Sequence, residues 1–196
     1  MPIKVEENSI AKHLQAHEQA FRASFTVENL KVLDEMTERI VQTFKRGNKI
    51  LICGNGGSAA DAQHIAAEFV GRFKRERKSL PAIALTTDSS ILTAVANDYA
   101  YDLVFARQVE GLGQKGDILI AISTSGTSKN VIRAAMKAKE LGIAVIGFTG
   151  KSGRDLQKNS DLIFLAGSDK TPNVQEIHIT ALHAISEAVE DTLFSA

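Results

Sequence analysis

A single cysteine, Cys53, cannot form an internal disulfide. Its place in the apolar run KILIC (49–53) predicts a buried thiol and fits the reducing cytoplasm. Charge of one sign is also missing: 23 Lys and Arg stand against 23 Asp and Glu, for a formal net charge of zero. Bulk electrostatics therefore draws the chain neither to nucleic acid nor to an anionic membrane, and any anion site must be local. No stretch approaches the roughly 18 uncharged apolar residues of a membrane span, and the opening MPIKVEENSI has no apolar export core. The expectation is an unexported, cytoplasmic protein with no nucleic-acid and no membrane partner.

Residues 6–46 lack both proline and glycine, and Leu30, Leu33, Ile40, Val41 and Phe44 recur in a helical rhythm. Two helices are predicted, broken near Ser24 to Glu28. Beyond them, β-rich runs alternate with helical stretches at 49–53, 82–86, 117–123, 144–149 and 161–166. Such alternation predicts a central parallel sheet with crossover helices, and almost wholly apolar runs predict strands covered on both faces. A last helix is expected from Thr171 to about Phe194, with Pro172 in its first turn. No repeat, low-complexity segment or linker marks a second domain, so residues 1–196 read as one.

The first strand runs into CGNGGSAAD, a glycine turn that opens a helix, where backbone amides of a parallel α/β protein gather an anion. Gly54, Gly56 and Ala59 satisfy the loose dinucleotide pattern, but its ribose-binding acid is missing about 20 residues on; Asp88 comes 32 residues after Gly56. The G-K-[ST] ending of a nucleotide P-loop is missing too. What remains is a smaller phosphate or sugar cradle. A second polar turn, STSGTS at 123–128, supplies Ser123, Thr124, Ser125, Thr127 and Ser128 ahead of a helix starting near Lys129. Clustered hydroxyls and free helix-end amides can wrap a phosphate. A helix cap would need only one of them, and Ser128 alone would serve.

On the helix that follows the glycine turn, His64 and Glu68 lie four residues apart, on one face and one turn from each other. The final helix offers Gln175, Glu176, His178 and His183. Periodicity pairs Glu176 with His183, seven apart and about 20° from alignment, better than Gln175 with His183, which diverge by about 80°.

Taken together, GNGGSAADAQH, STSGTS, TTD (86–88), AND (96–98) and VQEIH (174–178) resemble the phosphoheptose isomerase family of the sugar isomerase (SIS) fold. The resemblance covers residues from about 30 to 194. It implies a three-layer α/β/α sandwich on a five-stranded parallel sheet, flavodoxin-like in order, with residues 1–46 as N-terminal oligomerisation helices of a homotetramer. It implies conversion of sedoheptulose 7-phosphate to D-glycero-D-manno-heptose 7-phosphate through an enediolate, the first step of ADP- or GDP-heptose synthesis for lipopolysaccharide or capsule. It also implies one zinc ion per subunit on His64, Glu68, Gln175 and His183, selecting Gln175 over Glu176. Asn55, Gly56 and Gly57 would line the substrate, with Gln175 beside it. Ser123, Thr124, Ser125 and Ser128 would hold phosphate, and Asn97 and Asp98 would meet sugar hydroxyls. Glu68 would be the base and His183 its acid partner. A carboxylate engaged by zinc is a weaker base, so either Glu68 shifts off the metal in turnover or the metal chiefly holds substrate oxygens. Pro172 replaces an acidic residue often found three positions before the family glutamine. A non-enzymatic branch of the same fold resembles the protein that associates with the replication initiator; it lacks counterparts of Glu68 and His183, and this chain has both.

Overall fold

The computed structural model describes residues 8–194; residues 1–7, the start of the expected N-terminal helical segment, lie outside them. Five strands form one sheet in the order β2-β1-β3-β4-β5, with every pairing parallel. They are β1 (Ile50–Cys53), β2 (Ala82–Ala84), β3 (Ile118–Ile122), β4 (Ala144–Thr149) and β5 (Leu162–Leu165). Each lies within a run picked out by its apolar, β-branched content. The order is that of a flavodoxin-like doubly wound sheet.

Alternation along the strands divides the core in two. Ile50, Ile52, Ile118, Ile120, Ile122, Ile146, Phe148 and Phe164 point to one face, under α2 (Val27–Lys45), α3 (Gly57–Val70) and α8 (Thr171–Phe194). Leu51, Cys53, Leu119, Ala121 and Val145 point to the other, under α5 (Val104–Leu112), α6 (Lys129–Glu140) and the one-turn α7 (Arg154–Lys158). Cys53 is fully buried, and that burial pushes its thiol up to about 12, which makes it an inert core residue.

The predicted break between the first two helices falls at Phe25 and Thr26, between α1 (Ser9–Ser24) and α2. Thr26 caps α2 through the Asn29 N–H, while the Asn29 amide donates to the Ser24 and Leu165 carbonyls and so fastens the elbow to β5. The two helices then differ. Leu33, Met36, Ile40, Val41 and Phe44 of α2 are buried in this chain's own core, whereas Ile10, Leu14 and Phe21 of α1 stay exposed, together with Val27 and Leu30 at the start of α2. Between β2 and β3, α4 (Ser89–Asp98) buries no residue at all. Asp88, the acid that follows the second strand, caps α4 by accepting from the Ile91 N–H.

Candidate active site

The chain reverses its winding between β1 and β3, and in an open parallel sheet that switch point opens a crevice beyond the strand carboxyl ends. The glycine turn leaves β1 and the hydroxyl turn leaves β3, so the two flank it. Gly56 has φ 56° and ψ −121°, a conformation that side chains resist. Gly57 is needed for a different reason: a Cβ there would overlap the Gln175 amide, so α8 packs directly on the turn. Asn55 bridges the crevice through a reciprocal amide pair. Its Nδ2 donates to Asn130 Oδ1 (2.9 Å), and Asn130 Nδ2 donates back to Asn55 Oδ1 (2.8 Å), which also accepts from the Tyr101 hydroxyl (3.3 Å). Asn130 and Tyr101 went unread in the sequence. The one available signal was an asparagine in the first turn of a helix, which reads as a local cap.

In the second turn the hydroxyls form a connected set. Ser123 donates to Ser128 (2.9 Å), and the Ser125 and Thr127 hydroxyls lie 3.0 Å apart. Ser128 does occupy the N-cap position of α6, yet its side chain makes no capping bond. A cap therefore does not account for the hydroxyl, which stays with the cup.

Helices α3 and α8 run side by side in the same direction: Gly57 meets Gln175, His64 meets His183, and the segment after α3 meets Glu190. That alignment brings His64, Glu68 and His183 together, with one ligand atom from each within 4.8 Å of the others. His64 Nε2 lies 2.9 Å from His183 Nε2 and 3.2 Å from Glu68 Oε1. Two facing imidazole nitrogens either share one proton or both present lone pairs to a cation. Donors around a tetrahedral zinc at about 2.0–2.1 Å stand about 3.3 Å apart, so these three residues fit a metal with small adjustments. Asp61, one turn before His64, is 8 % exposed, has an unpartnered Oδ2, and is pushed up to about 6 by burial, against a lowering by His64.

The far end of the pair is locked. Glu190, 2 % exposed, accepts from the backbone N–H groups of Phe73, Lys74 and Arg75 and from Arg77 Nε. Burial works to raise its pKa, but these donors outweigh it and hold the carboxyl below its usual range. Arg77 also donates to the Glu68 and Phe69 carbonyls, which closes the last turn of α3 behind Glu68.

Other expected residues fall elsewhere. The Gln175 amide sits over Gly57, two turns or about 12 Å along α8 from His183. Glu176, favoured by periodicity, is turned to α1, with Oε2 2.8 Å from His17 Nδ1 but out of line for a hydrogen bond. Asn97 and Asp98 are exposed at the end of α4, and Asn97 Nδ2 donates to Asp98 Oδ1. His178 is buried against Phe148 and Phe164, and desolvation lowers it to about 4, so it is a neutral core residue. A cavity of about 570 Å³ opens at the opposite end of the strands, between α2 and the starts of β3 and β4. None of the candidate residues borders it.

The SIS domain family matches residues 15–150. A phosphoheptose isomerase of a Roseiflexus species is 61 % identical over 159 residues, covering 81 % of each chain. That of Campylobacter concisus is 51 % identical over 182 residues, covering 93 % of this chain and 95 % of its own. The chain belongs to the phosphoheptose isomerase family. The structure of the Neisseria gonorrhoeae phosphoheptose isomerase superposes with a TM-score of 0.88 at 39 % identity, covering 93 % of this chain and 97 % of that one. Within the phosphoheptose isomerase family, then, the five-stranded parallel sheet and its flanking helices form a shared frame. Onto it this chain places a His/Glu/His cluster able to hold a metal.

Proposed function

We propose that the protein interconverts sedoheptulose 7-phosphate and D-glycero-D-manno-heptose 7-phosphate, the entry to nucleotide-activated heptose for a surface polysaccharide. The observation that carries the reading is the convergence of His64, Glu68 and His183, two of them on the helix that opens at the glycine turn, in a chain whose neighbouring strand β3 ends in the hydroxyl turn. Kinship with phosphoheptose isomerases along nearly the whole chain supports the substrate.

A ketose becomes an aldose when a proton leaves the carbon beside the carbonyl and returns to the former carbonyl carbon. Ser123, Thr124, Ser125 and Ser128 bind the phosphate, fixing one end of the sugar; Asn55, Gly56 and Gly57 hold its middle with amide and backbone groups. Glu68 takes the carbon-bound proton, whose electrons form the enediol double bond, and returns it to the neighbouring carbon. His183 moves the hydroxyl proton between the two oxygens. Asn97 and Asp98 meet sugar hydroxyls, and Gln175 lies at the sugar or completes the metal's ligands. When bound, zinc on His64, Glu68 and His183 supplies positive charge next to the reacting oxygens. The exposed apolar residues of α1 and the start of α2 support a homotetramer built on the N-terminal helices. The buried, unpaired Cys53 suits the cytoplasm. No feature favours the initiator-binding alternative, and Glu68 and His183 argue against it.

Carbon-bound proton exchange with solvent, measured with metal content on the same samples, tests the assignment. Glu68→Gln retains most of the bulk and hydrogen bonding but not the proton acceptor, so exchange and turnover should fall by at least about 10²- to 10⁴-fold with substrate still bound. Equal exchange at equal metal content would move the base to His183. His64→Ala should lose metal first, with activity partly restored by added zinc.

A further inference from the structure

We propose that Arg154, at the mouth of the hydroxyl cup, is a phosphate-binding residue of this chain. The proposal rests on the isomerase reading and adds a charged partner to a cup that otherwise offers only neutral donors. A cavity of about 250 Å³ is bordered by Thr124, Ser125 and Thr127 on the cup side and by Ser152, Arg154 and Asp169 from the neighbouring loops. The turn after β4 is held against the cup: a Cβ on Gly126 would come within 3.3 Å of Arg154 Cβ, and the Leu156 N–H donates to the Gly126 carbonyl. Arg154 Nε donates to Ser152 Oγ (3.1 Å), which orients the guanidinium, and its Nη groups have no partner among the described residues. Its backbone is at φ 51°, and it is the one non-glycine residue at positive φ among those described. A side chain held where glycine would be more comfortable needs a compensating use.

Electrostatics gives the use. The cup faces a phosphomonoester that carries between one and two negative charges at neutral pH, while the cavity is also bordered by the Asp169 carboxylate. Hydroxyls and amides bind such an anion but do not offset a nearby carboxylate. A guanidinium does both, with paired donors matched to phosphate oxygens.

The backbone supplies an unusually clean test. Arg154→Gly deletes the guanidinium and relaxes the positive φ at once, so the variant should melt no lower than wild type. With the full-length protein, the KM for sedoheptulose 7-phosphate should rise about 10- to 100-fold while kcat falls far less, and competitive inhibition by inorganic phosphate should weaken in parallel. Arg154→Lys should recover part of both. Unchanged KM and unchanged phosphate inhibition in Arg154→Gly would overturn the proposal, as would a binding loss that tracked a lowered melting temperature. Should wild type turn over no heptose phosphate, the isomerase reading fails by itself. Direct binding of inorganic phosphate to wild type and Arg154→Gly then decides the role of Arg154: weaker binding by the variant supports it, and equal binding overturns it.

Discussion

Two helices carry candidate polar residues, and their own chain treats them differently. Helix α3 is fixed along its length: its first residue lies under Gln175, its middle against His183, and its last turn is closed by Arg77 and Glu190. Helix α4 has no fully buried residue, with Leu92, Val95 and Ala96 only half-buried against the core, and its Asn97 and Asp98 side chains bond only to each other among the described residues. The difference teaches that, on the proposed reading, the residues assigned to proton transfer and metal binding are organised before substrate arrives, where misplacement by an ångström would cost most. The contacts proposed for sugar hydroxyls fall on a segment that the chain's own core holds less tightly.

Breaking the firm side should give the largest effect. Glu190→Ala leaves Arg77 buried without its carboxylate and three backbone N–H groups without an acceptor. Removing one partner of such a pair costs about 3–5 kcal/mol, to be read from denaturant unfolding of the metal-free protein. A loss below about 1 kcal/mol would mean that α3 is held by packing alone.

The same side can be sharpened by pH. His178 titrates at about 4 in the fold against 6.5 for a free histidine, so the stability of its neutral form is lost as pH falls from 6.5 through 4. Asp61 runs the other way. Raised to about 6 from 3.8, it contributes stability at low pH that is lost as pH rises through 6. Each effect is on the order of 2 to 3 kcal/mol, and between about pH 4 and 6 they oppose, so the metal-free wild type should show a shallow slope there. Asp61→Asn should expose the acid-side loss due to His178, and His178→Phe should leave a protein that gains stability as pH falls. Parallel profiles for all three proteins would refute the pairing.

On the loose side the expected effect is the smallest. Asn97→Ala and Asp98→Asn should change unfolding free energy by less than about 0.5 kcal/mol, as exposed positions do, while weakening substrate binding. A large stability loss would show that α4 is as firmly held as α3.

The sheet was legible because strands covered on both faces have to be apolar throughout, and 144–149 is a strand to the residue. The pairing of His64 with Glu68 was legible because helix geometry alone puts positions four apart on one face. Gln175 against Glu176 was not, because the contact of Glu176 with His17 joins residues 159 positions apart. Asn130, Arg154 and the Arg77–Glu190 pair escaped for the same reason: each gains its meaning from a partner on another element. The N-terminal segment read as two like helices, but α2 belongs to the core along its length and α1 joins it only near its end, at Ala20.

The last helix has a consequence in time as well as in space. Ribosomes deliver α8 after every strand it covers, and Val174, Ile177, Ala181, Leu182, Ile185 and Val189 are part of the lid on one face of the sheet, on the helix that also bears His183. A chain cut short before residue 171 thus loses a cluster member and leaves part of a greasy sheet face uncovered, a state that chaperones and proteases recognise.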